Sequence, residues 1–377
     1  MKQALSLAAL PWLAHVGLVV LGILLGLGLD PAPAWDIADR YPPLAEAPAW
    51  AQPLLHWDAH HYARMSAEGY TLRTSVILPA LPLTISGLAG LTGIPVWVVG
   101  LAACNLAGAL SFVLMARLAL HFFEPVRARR VVWSLALFPT SFYLNSFYTE
   151  PFFMAVMLGC ILCCLSDRFV EAGLLAAAAT LTRNLGIGLE LVLLAATLPR
   201  LQQNPLSIRL GFALICAPLA LGAFCLFQQA RFGDALAFVH QQAHWGRSYH
   251  APWQGAVDTI ALLRERDGGV CKRDAYLWLN LLLVFWTVAG VLYTACRTRT
   301  LAGWGLTAYS TFLLLIPMLT GSDHDPLFSI SRYVLVIPTA HLALGYLPPL
   351  GFRIWAMASA VCLVLAMALF SRGWWIA

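Results

Sequence analysis

Long apolar runs separated by short polar segments dominate the chain, and the runs do not alternate between polar and apolar residues. In a bilayer every backbone amide must be hydrogen-bonded within the protein, so solid apolar runs of about 15–25 residues predict membrane-spanning helices rather than barrel strands. The pattern predicts an all-α polytopic membrane protein, a bundle of about 11–12 transmembrane helices. The predicted spans are 6–28, 95–120, 131–147, 151–166, 169–182, 185–199, 208–231, 275–296, 301–320, 332–348 and 352–371, with 76–93 as a twelfth candidate.

Short loops rich in arginine indicate which side of the membrane is cytoplasmic. If these arginines lie inside, the opposite face receives a first loop at 30–75 and a second large loop at 233–273, and 76–93 cannot cross. Pro79 and Pro82 in that run also suit a re-entrant or surface-lying helix. The arginines concerned are Arg127, Arg129, Arg130, Arg200, Arg209, Arg297 and Arg299.

The composition agrees with a membrane protein, because 60% of the residues are hydrophobic and only 11% are charged. The net charge of +5 lies largely in the arginine-rich loops and indicates no nucleic-acid partner. The first run follows Lys2 and is longer than an ordinary signal sequence, so we expect a retained anchor with a cytoplasmic amino terminus.

Asp58 is the first candidate for chemistry. It lies in the segment HWDAHHYARMSAEGY at 56–70, directly outside the first membrane anchor. A carboxylate held at the membrane face can act as a general base. Alternatively, Asp58 only caps a helix that begins at Ala59, since Asp is a favoured N-cap residue.

Other polar and aromatic side chains are predicted on the same outer face. Arg183 and Arg332 lie at the edges of apolar helices, where an ionised side chain is usually paired or functional, although it can also extend to the interface without binding a substrate. Glu150 begins an apolar helix, where it suits the helix dipole or a site equally well. The candidates are Trp57, His60, His61, Tyr62, Tyr148, Glu150, Arg183, Asp234, Trp245, Arg247 and Arg332.

Metal binding is a weaker hypothesis. His240 and His244 have the i,i+4 spacing that places two imidazoles on one helix face, and Asp323 and Asp325 offer oxygen ligands for a divalent cation. Two potential ligands often coincide by chance, so we expect no metal and no other cofactor.

Several motifs in order resemble the GPI mannosyltransferase II (PIG-V type) family, which belongs to the GT-C superfamily of membrane glycosyltransferases. Each motif is short, but together they span residues 57 to 338. They are Trp57-Asp58 with Tyr62 and Glu68-Gly69-Tyr70, Leu78-Pro79 with Leu81-Pro82, Phe138-Pro139-Thr140-Ser141-Phe142 leading to Tyr148-Thr149-Glu150, Leu181-Thr182-Arg183, Phe232-Gly233-Asp234 and Ser331-Arg332-Tyr333.

The resemblance implies one integral membrane glycosyltransferase domain over 1–377, a GT-C-type bundle whose outer loops carry short amphipathic helices. Such an enzyme transfers a hexose, mannose by analogy, from a polyprenyl-phosphate carrier to an acceptor hydroxyl on a glycan, glycolipid or protein. Asp58 matches the family's catalytic base. Arg332, then Arg183, then Arg247 are the ranked phosphate ligands, with Tyr333 beside them, and the other candidates shape the acceptor side.

The chain departs from the family pattern in two places, at Arg183-Asn184-Leu185-Gly186 and at Ile77-Leu78-Pro79-Ala80-Leu81-Pro82. It is compact beside eukaryotic members, which favours a prokaryotic plasma-membrane homologue with its site facing outside. Two other classes stay open, a lipid-linked-sugar transporter or flippase and a noncatalytic subunit that binds lipid-linked sugar. A transporter is expected to show paired broken helices or repeats near the midplane.

Overall fold

The computed structural model describes residues 1–32, 40–203, 207–264, 272–322 and 325–376, with the backbone alone at 272 and 273. The α-helices are α1 Lys2–Gly26, α2 Pro42–Ala45, α3 Asp58–Glu68, α4 Ala80–Thr92, α5 Val96–Phe122, α6 Pro125–Leu137, α7 Glu150–Cys164, α8 Phe169–Thr182, α9 Glu190–Gln203, α10 Ile208–Phe232, α11 Ala237–His240, α12 Gln254–Arg264, α13 Lys272–Arg297, α14 Leu301–Met318, α15 Ile330–Leu335, α16 Pro338–Leu342 and α17 Pro349–Phe370. The 3-10 helices are Gln52–Leu54, Arg73–Val76, Ser141–Leu144, Asn184–Leu189, Gln241–Trp245 and Ala343–Tyr346. Strands β1 Ser248–Tyr249 and β2 Thr320–Gly321 pair antiparallel.

Seven helical segments in the described part of the chain are long and apolar enough to cross a membrane. They coincide with seven of the predicted spans, and the chain is an integral, multi-pass membrane protein. The seven are Lys2–Gly26, Val96–Phe122, Asn184–Gln203, Ile208–Phe232, Asp274–Arg297, Leu301–Met318 and Pro349–Phe370.

The other four predicted spans are shorter or interrupted. α7 and α8 have 15 and 14 residues. The runs 131–147 and 332–348 are not continuous helices as the apolar pattern suggests, because each is broken before a proline. Phe138 and Ile337, which precede Pro139 and Pro338, have ψ angles of 136° and 109°, since a residue before proline disfavours the helical conformation. Both interruptions lie next to residues of the candidate site.

Contacts between helices define the two ends of the bundle. A Cβ on Gly26 would meet the hydroxyl of Ser371, so α1 and α17 run in the same direction and end together. Trp97, at the start of α5, contacts Trp50 with ring centroids 6.0 Å apart. The start of α5 therefore lies beside the ends of α1 and α17. We call this end, which carries residues 40–79, the site end.

The opposite end gathers the turns that carry most of the predicted cytoplasmic arginines. There Phe123 contacts Tyr346 with ring centroids 4.7 Å apart. Arg130 donates from Nη1 to the carbonyl of Leu347 at 2.5 Å. The guanidinium of Arg297 lies 5.8 Å from the ring centroid of Tyr346. Arginine-rich turns and the site end are thus on opposite sides of the bundle, as the orientation rule predicts.

Helix α4 has both ends at the site end. Leu78, two residues before it, packs with Phe238 of the second loop, and three residues separate Thr92 from the start of α5. Its 13 residues make a helix of about 20 Å, shorter than the hydrocarbon core of about 30 Å. This short helix is consistent with the prediction that 76–93 does not cross, which requires Arg127 at the opposite end.

A buried polar network supports the irregular segment between α6 and α7. His15 Nδ1 lies 3.0 Å from the carbonyl oxygen of Ala136, and Nε2 lies 2.7 Å from Asn145 Oδ1. Asn145 donates to Asn105 Oδ1 at 2.7 Å. Close packing against α5 requires a glycine, because a Cβ on Gly108 would collide with the Leu144 carbonyl. This segment leads directly to Tyr148 and Glu150.

Candidate active site

Four charged side chains form a chain of ion pairs at the site end. Arg332 donates from Nη1 to Asp58 Oδ2 at 2.6 Å and from Nε to Glu150 Oε1 at 2.7 Å. Arg183 donates from Nη1 to the same Glu150 oxygen at 2.5 Å. The four residues come from the starts of α3 and α7, the end of α8, and α15. Neither arginine extends to the interface alone, so the site hypothesis for both gains support.

The backbone before Asp58 is unusual. Trp57 has a φ of 57°, in the left-handed region that favours glycine. Such conformations cost about 1–3 kcal/mol and occur often at functional sites. The Trp57 ring packs edge-on against Trp375 near the carboxyl terminus, with centroids 5.1 Å apart. This conformation starts α3 at Asp58.

Asp58 does not act as a simple cap. The residue at the N-cap position of α3 is Trp57, with no side-chain capping bond. The Asp58 carboxylate bonds Arg332 through Oδ2, and 24% of its side chain is exposed. No described residue hydrogen-bonds to Oδ1.

Glu150 is the centre of the chain of ion pairs. It is fully buried at the first turn of α7, so its charge also complements the helix dipole. Oε1 binds both arginines, and Oε2 has no hydrogen-bond partner among the described residues. Glu150 is therefore placed to complement the helix dipole and also to bind the two arginines, so both alternatives from the sequence remain compatible with its position.

Arg183 connects the ion pairs to the aromatic ring of Tyr333. Its guanidinium lies 4.8 Å from the ring centroid of Tyr333. Nη1 also donates to Thr149 Oγ1 at 3.3 Å, and the Tyr62 hydroxyl lies 3.4 Å from the same oxygen. Tyr62 and Tyr333 thus lie beside the ion pairs, and their roles in a site stay predictions. Thr149 was not predicted, although it stands inside the quoted Tyr148-Thr149-Glu150 motif.

Arg247 reaches the site from the loop that follows α10. It donates from Nη2 to the Tyr333 hydroxyl at 3.2 Å and from Nη1 to Thr320 Oγ1 at 3.3 Å. Its guanidinium also lies 5.0 Å from the ring centroid of Phe328. Pairing of Ser248 with Gly321 in the short sheet holds this arginine in place. Unlike Arg332 and Arg183, Arg247 forms no ion pair with a described carboxylate.

Two tyrosine rings, those of Tyr148 and Tyr143, pack against the guanidinium of Arg332. Its guanidinium lies 4.7 Å from the ring centroid of Tyr148 and 5.3 Å from that of Tyr143. Tyr148 donates to the carbonyl of His56 at 3.0 Å, and this bond connects the tyrosine pair to the loop before Asp58. Tyr143 was missed, because an aromatic residue in an apolar run gives no signal beyond core packing.

Several predicted residues lie beside the ion pairs rather than in them. His60 Nδ1 accepts from the backbone of Tyr41 at 2.9 Å, and burial lowers the pKa of His60 to about 4. The rings of His61 and Trp245 contact each other with centroids 4.8 Å apart, which joins α3 to the loop that follows α10. Both histidines therefore support the loop that carries Asp58.

Asp234 is engaged within the second loop. It accepts from the Leu236 backbone at 2.9 Å and binds His240 Nδ1 at 2.7 Å, and this bond lowers the pKa of Asp234. No described contact connects it to the ion pairs. Of the residues considered for a cation, Asp323 lies outside the described part of the chain, and Asp325 accepts from the Tyr276 hydroxyl at 2.7 Å. Across the described residues no three potential ligands are grouped to hold a metal ion.

Charge in the site is not balanced. Asp58 and Glu150 supply two negative charges, whereas Arg332, Arg183 and Arg247 supply three positive ones. The single excess positive charge is concentrated at Arg247, the one arginine of the three without a described carboxylate partner. Among the described residues this arrangement favours an anion beside Arg247, because unpaired charge near the membrane is costly.

Comparison with solved structures identifies the fold. The chain is similar to ArnT from Cupriavidus metallidurans bound to undecaprenyl phosphate, with a TM-score of 0.52 and 14% identity over 95% of this chain and 75% of that chain. Weaker likenesses are to the Archaeoglobus fulgidus oligosaccharyltransferase in the apo form, at a TM-score of 0.44 and 13% identity, and to AglB from the same organism in complex with an inhibitory peptide and a dolichol-phosphate, at 0.43 and 14%. The chain covers 56% of each of these two, and 96% of it is aligned.

The ArnT likeness confirms the predicted fold class. The chain has an all-α membrane bundle with the fold of ArnT. No family model and no curated protein matches the sequence. The narrower resemblance to the GPI mannosyltransferase II family therefore stays a prediction.

Proposed function

We propose that the protein is a membrane glycosyltransferase that transfers a hexose from a polyprenyl-phosphate-sugar to an acceptor hydroxyl, with Asp58 as the general base. The observation that carries this proposal is the arrangement of Asp58, Arg332, Glu150 and Arg183 in one chain of ion pairs within a GT-C fold. A partly exposed carboxylate lies at one end of it, and Arg247, which has no carboxylate partner among the described residues, lies beside the other.

The chemistry requires a base and an anion site at a short distance. In the proposed reaction Asp58 Oδ1 takes the proton of the acceptor hydroxyl while its oxygen forms the new bond to the sugar anomeric carbon. The bond from that carbon to the phosphate oxygen breaks, and the leaving polyprenyl phosphate gains one negative charge. Guanidinium groups that bind this phosphate stabilise the charge as it develops.

The contacts of the three arginines reverse their predicted ranking as phosphate ligands. Arg332 already lies between two carboxylates, and Arg183 binds one. Arg247 binds only hydroxyl groups and rests on aromatic rings. We therefore place the phosphate beside Tyr333, between Arg247 and Arg183, and assign Arg332 to orienting Asp58.

The excess charge of the site suits a donor with one phosphate. A polyprenyl-phosphate sugar is a phosphodiester with a single negative charge, whereas a pyrophosphate donor carries two. Undecaprenyl phosphate, present in the ArnT structure, belongs to the same lipid class. Mannose is the first donor sugar to test, because the sequence motifs resemble those of a mannosyltransferase family.

The site is proposed to face the outside of a prokaryotic plasma membrane. Arginine-rich turns lie at the opposite end of the bundle, and such turns stay in the cytoplasm. Cysteines introduced at the exposed positions Ala67 and Arg127 test the assignment. An impermeant thiol reagent should label the Ala67 position in intact cells and leave the Arg127 position unlabelled; the reverse pattern would contradict the orientation.

Purified protein in lipid nanodiscs should release polyprenyl phosphate from a polyprenyl-phosphate hexose when a membrane lipid extract supplies acceptors. The panel contains mannose, glucose and galactose donors, and Asp58→Asn protein is the control. Movement of intact donor across a vesicle bilayer without bond cleavage would indicate a flippase instead. Tight donor binding without cleavage of any donor would indicate a noncatalytic subunit.

A further inference from the structure

Glu150 joins the two halves of the site through one atom. Its Oε1 accepts from Arg332 Nε at 2.7 Å and from Arg183 Nη1 at 2.5 Å. Arg332 continues to Asp58, whereas Arg183 stacks on Tyr333. The proposed base and the proposed phosphate site are therefore linked through a single carboxylate oxygen.

Stability alone is a weak explanation for this arrangement. Glu150 is fully buried, and Oε2 has no described hydrogen-bond partner. Leaving a buried polar atom unpaired is costly, and native proteins contain few such atoms. Buried ion pairs are also often no more stable than apolar replacements. The geometry instead places both guanidinium groups on Oε1 and leaves Oε2 without a described hydrogen-bond partner.

We propose that Glu150 is a positioning residue that sets the distance between the base Asp58 and the phosphate-binding Arg183. This proposal rests on the proposed function. Glu150 forms no bond to substrate and transfers no proton. Its negative charge holds two like-charged side chains together, and a shift in one arginine displaces the other.

Replacing the charge while keeping the shape tests this role. Glu150→Gln keeps the length of the side chain but removes the charge that opposes repulsion between Arg183 and Arg332. Misplacement of a reacting group by about 1 Å can cost about 100-fold in rate, so we expect a loss of kcat of that size. The donor KM should rise about tenfold, because Arg183 is displaced as well.

A conservative variant and a matched control separate positioning from folding. Glu150→Asp keeps the charge on a shorter side chain. Its kcat should be about tenfold higher than that of the Gln variant. Glu171→Gln removes an equivalent carboxylate from its exposed pair with Arg168, and kcat and KM should not change. Thermal unfolding and the Kd for undecaprenyl phosphate are measured on every variant.

A double-mutant cycle tests the coupling directly. Arg183→Ala should raise donor KM in the wild-type background and have little further effect in Glu150→Gln protein, because Arg183 is already displaced there. Fully additive effects would overturn the proposal, as would a folded Glu150→Gln enzyme with kcat and KM within twofold of wild type. If the Gln variant does not fold, Glu150→Asp decides instead. Its shorter side chain should still lower kcat severalfold, and kcat and KM both within twofold of wild type would overturn the proposal.

Failure of the proposed function is distinguishable from failure of this inference. If the wild type releases no polyprenyl phosphate from any donor, the enzymatic proposal fails. The Kd for undecaprenyl phosphate then still tests Glu150, because the Gln variant should bind it about tenfold more weakly than the Glu171→Gln control. Equal affinities would overturn the positioning role.

Discussion

Two sets of ion pairs with the same chemistry occupy opposite ends of the bundle. At the site end, 7% of the Arg332 side chain and none of the Glu150 side chain are exposed. At the opposite end Arg200 binds Asp167, with 41% and 60% of the two side chains exposed. The same guanidinium and carboxylate groups thus meet in very different surroundings.

The difference in burial changes what each pair does. Exposed pairs contribute about 0–1 kcal/mol, because water screens them and both side chains lose conformational freedom. A buried pair has paid a desolvation cost of several kcal/mol per ion, and removing one partner leaves an uncompensated charge. Charge clustered at such a cost, within a bundle that otherwise buries apolar groups, fits the proposed chemical role better than a stabilising one.

The largest effect is expected from Arg332→Ala. It leaves Asp58 and Glu150 facing each other without their shared cation, so we expect about 3–5 kcal/mol of lost stability and nearly complete loss of transfer. Arg332→Lys keeps the charge but loses the planar fork that bonds both carboxylates. Its stability and turnover should therefore lie between those of the wild type and of Arg332→Ala. Thermal unfolding and donor turnover measure both effects. An alanine variant with unchanged turnover and stability would refute the role given to Arg332.

Asp58→Asn should fold normally and lose about two orders of magnitude or more in kcat, the usual effect of removing a general base. Donor KM should stay within a few-fold, since the proposed phosphate site is elsewhere. Turnover with a defined donor measures this effect. Near wild-type kcat in the Asn variant would show that another group accepts the proton.

Arg247→Ala should raise donor KM about tenfold, the loss expected for one charge-assisted hydrogen bond to phosphate. Stability should change little, because this arginine has no described carboxylate partner to leave buried. Arg353→Ala, an exposed arginine of α17, is the control. If Arg247→Ala binds donor as wild type does, whereas Arg332→Ala does not, the original ranking of the arginines is restored.

Asp167→Asn should have the smallest effect, within about 0.5 kcal/mol of the wild-type stability and with unchanged turnover. Asn tolerates the φ of 57° at this position, so the substitution removes only the charge. Thermal unfolding at low and high salt measures it. A loss as large as that of a site variant would show that burial does not distinguish the two ends.

The sequence determined the membrane-spanning architecture, because hydropathy is a local property. A run of apolar side chains must meet lipid or another apolar surface wherever it lies, and its backbone must be helical in a bilayer. Arginine in short loops predicts the orientation by the same kind of local rule. The predicted helices 169–182 and 208–231 match α8 and α10 at both ends to within one residue.

The partners of the charged residues were decided only by the tertiary structure. Asp58 and Arg332 are 274 positions apart, and Glu150 and Arg332 are 182 apart. No local pattern indicates that two candidates at such separation bond each other rather than a substrate, so the sequence ranked Arg332 first as a phosphate ligand. Packing of α3, α7, α8 and α15 at one end brought these charges together. It left Arg247, the lowest-ranked candidate, without a described carboxylate partner, because an ion pair depends on distances in space that separation along the chain does not encode.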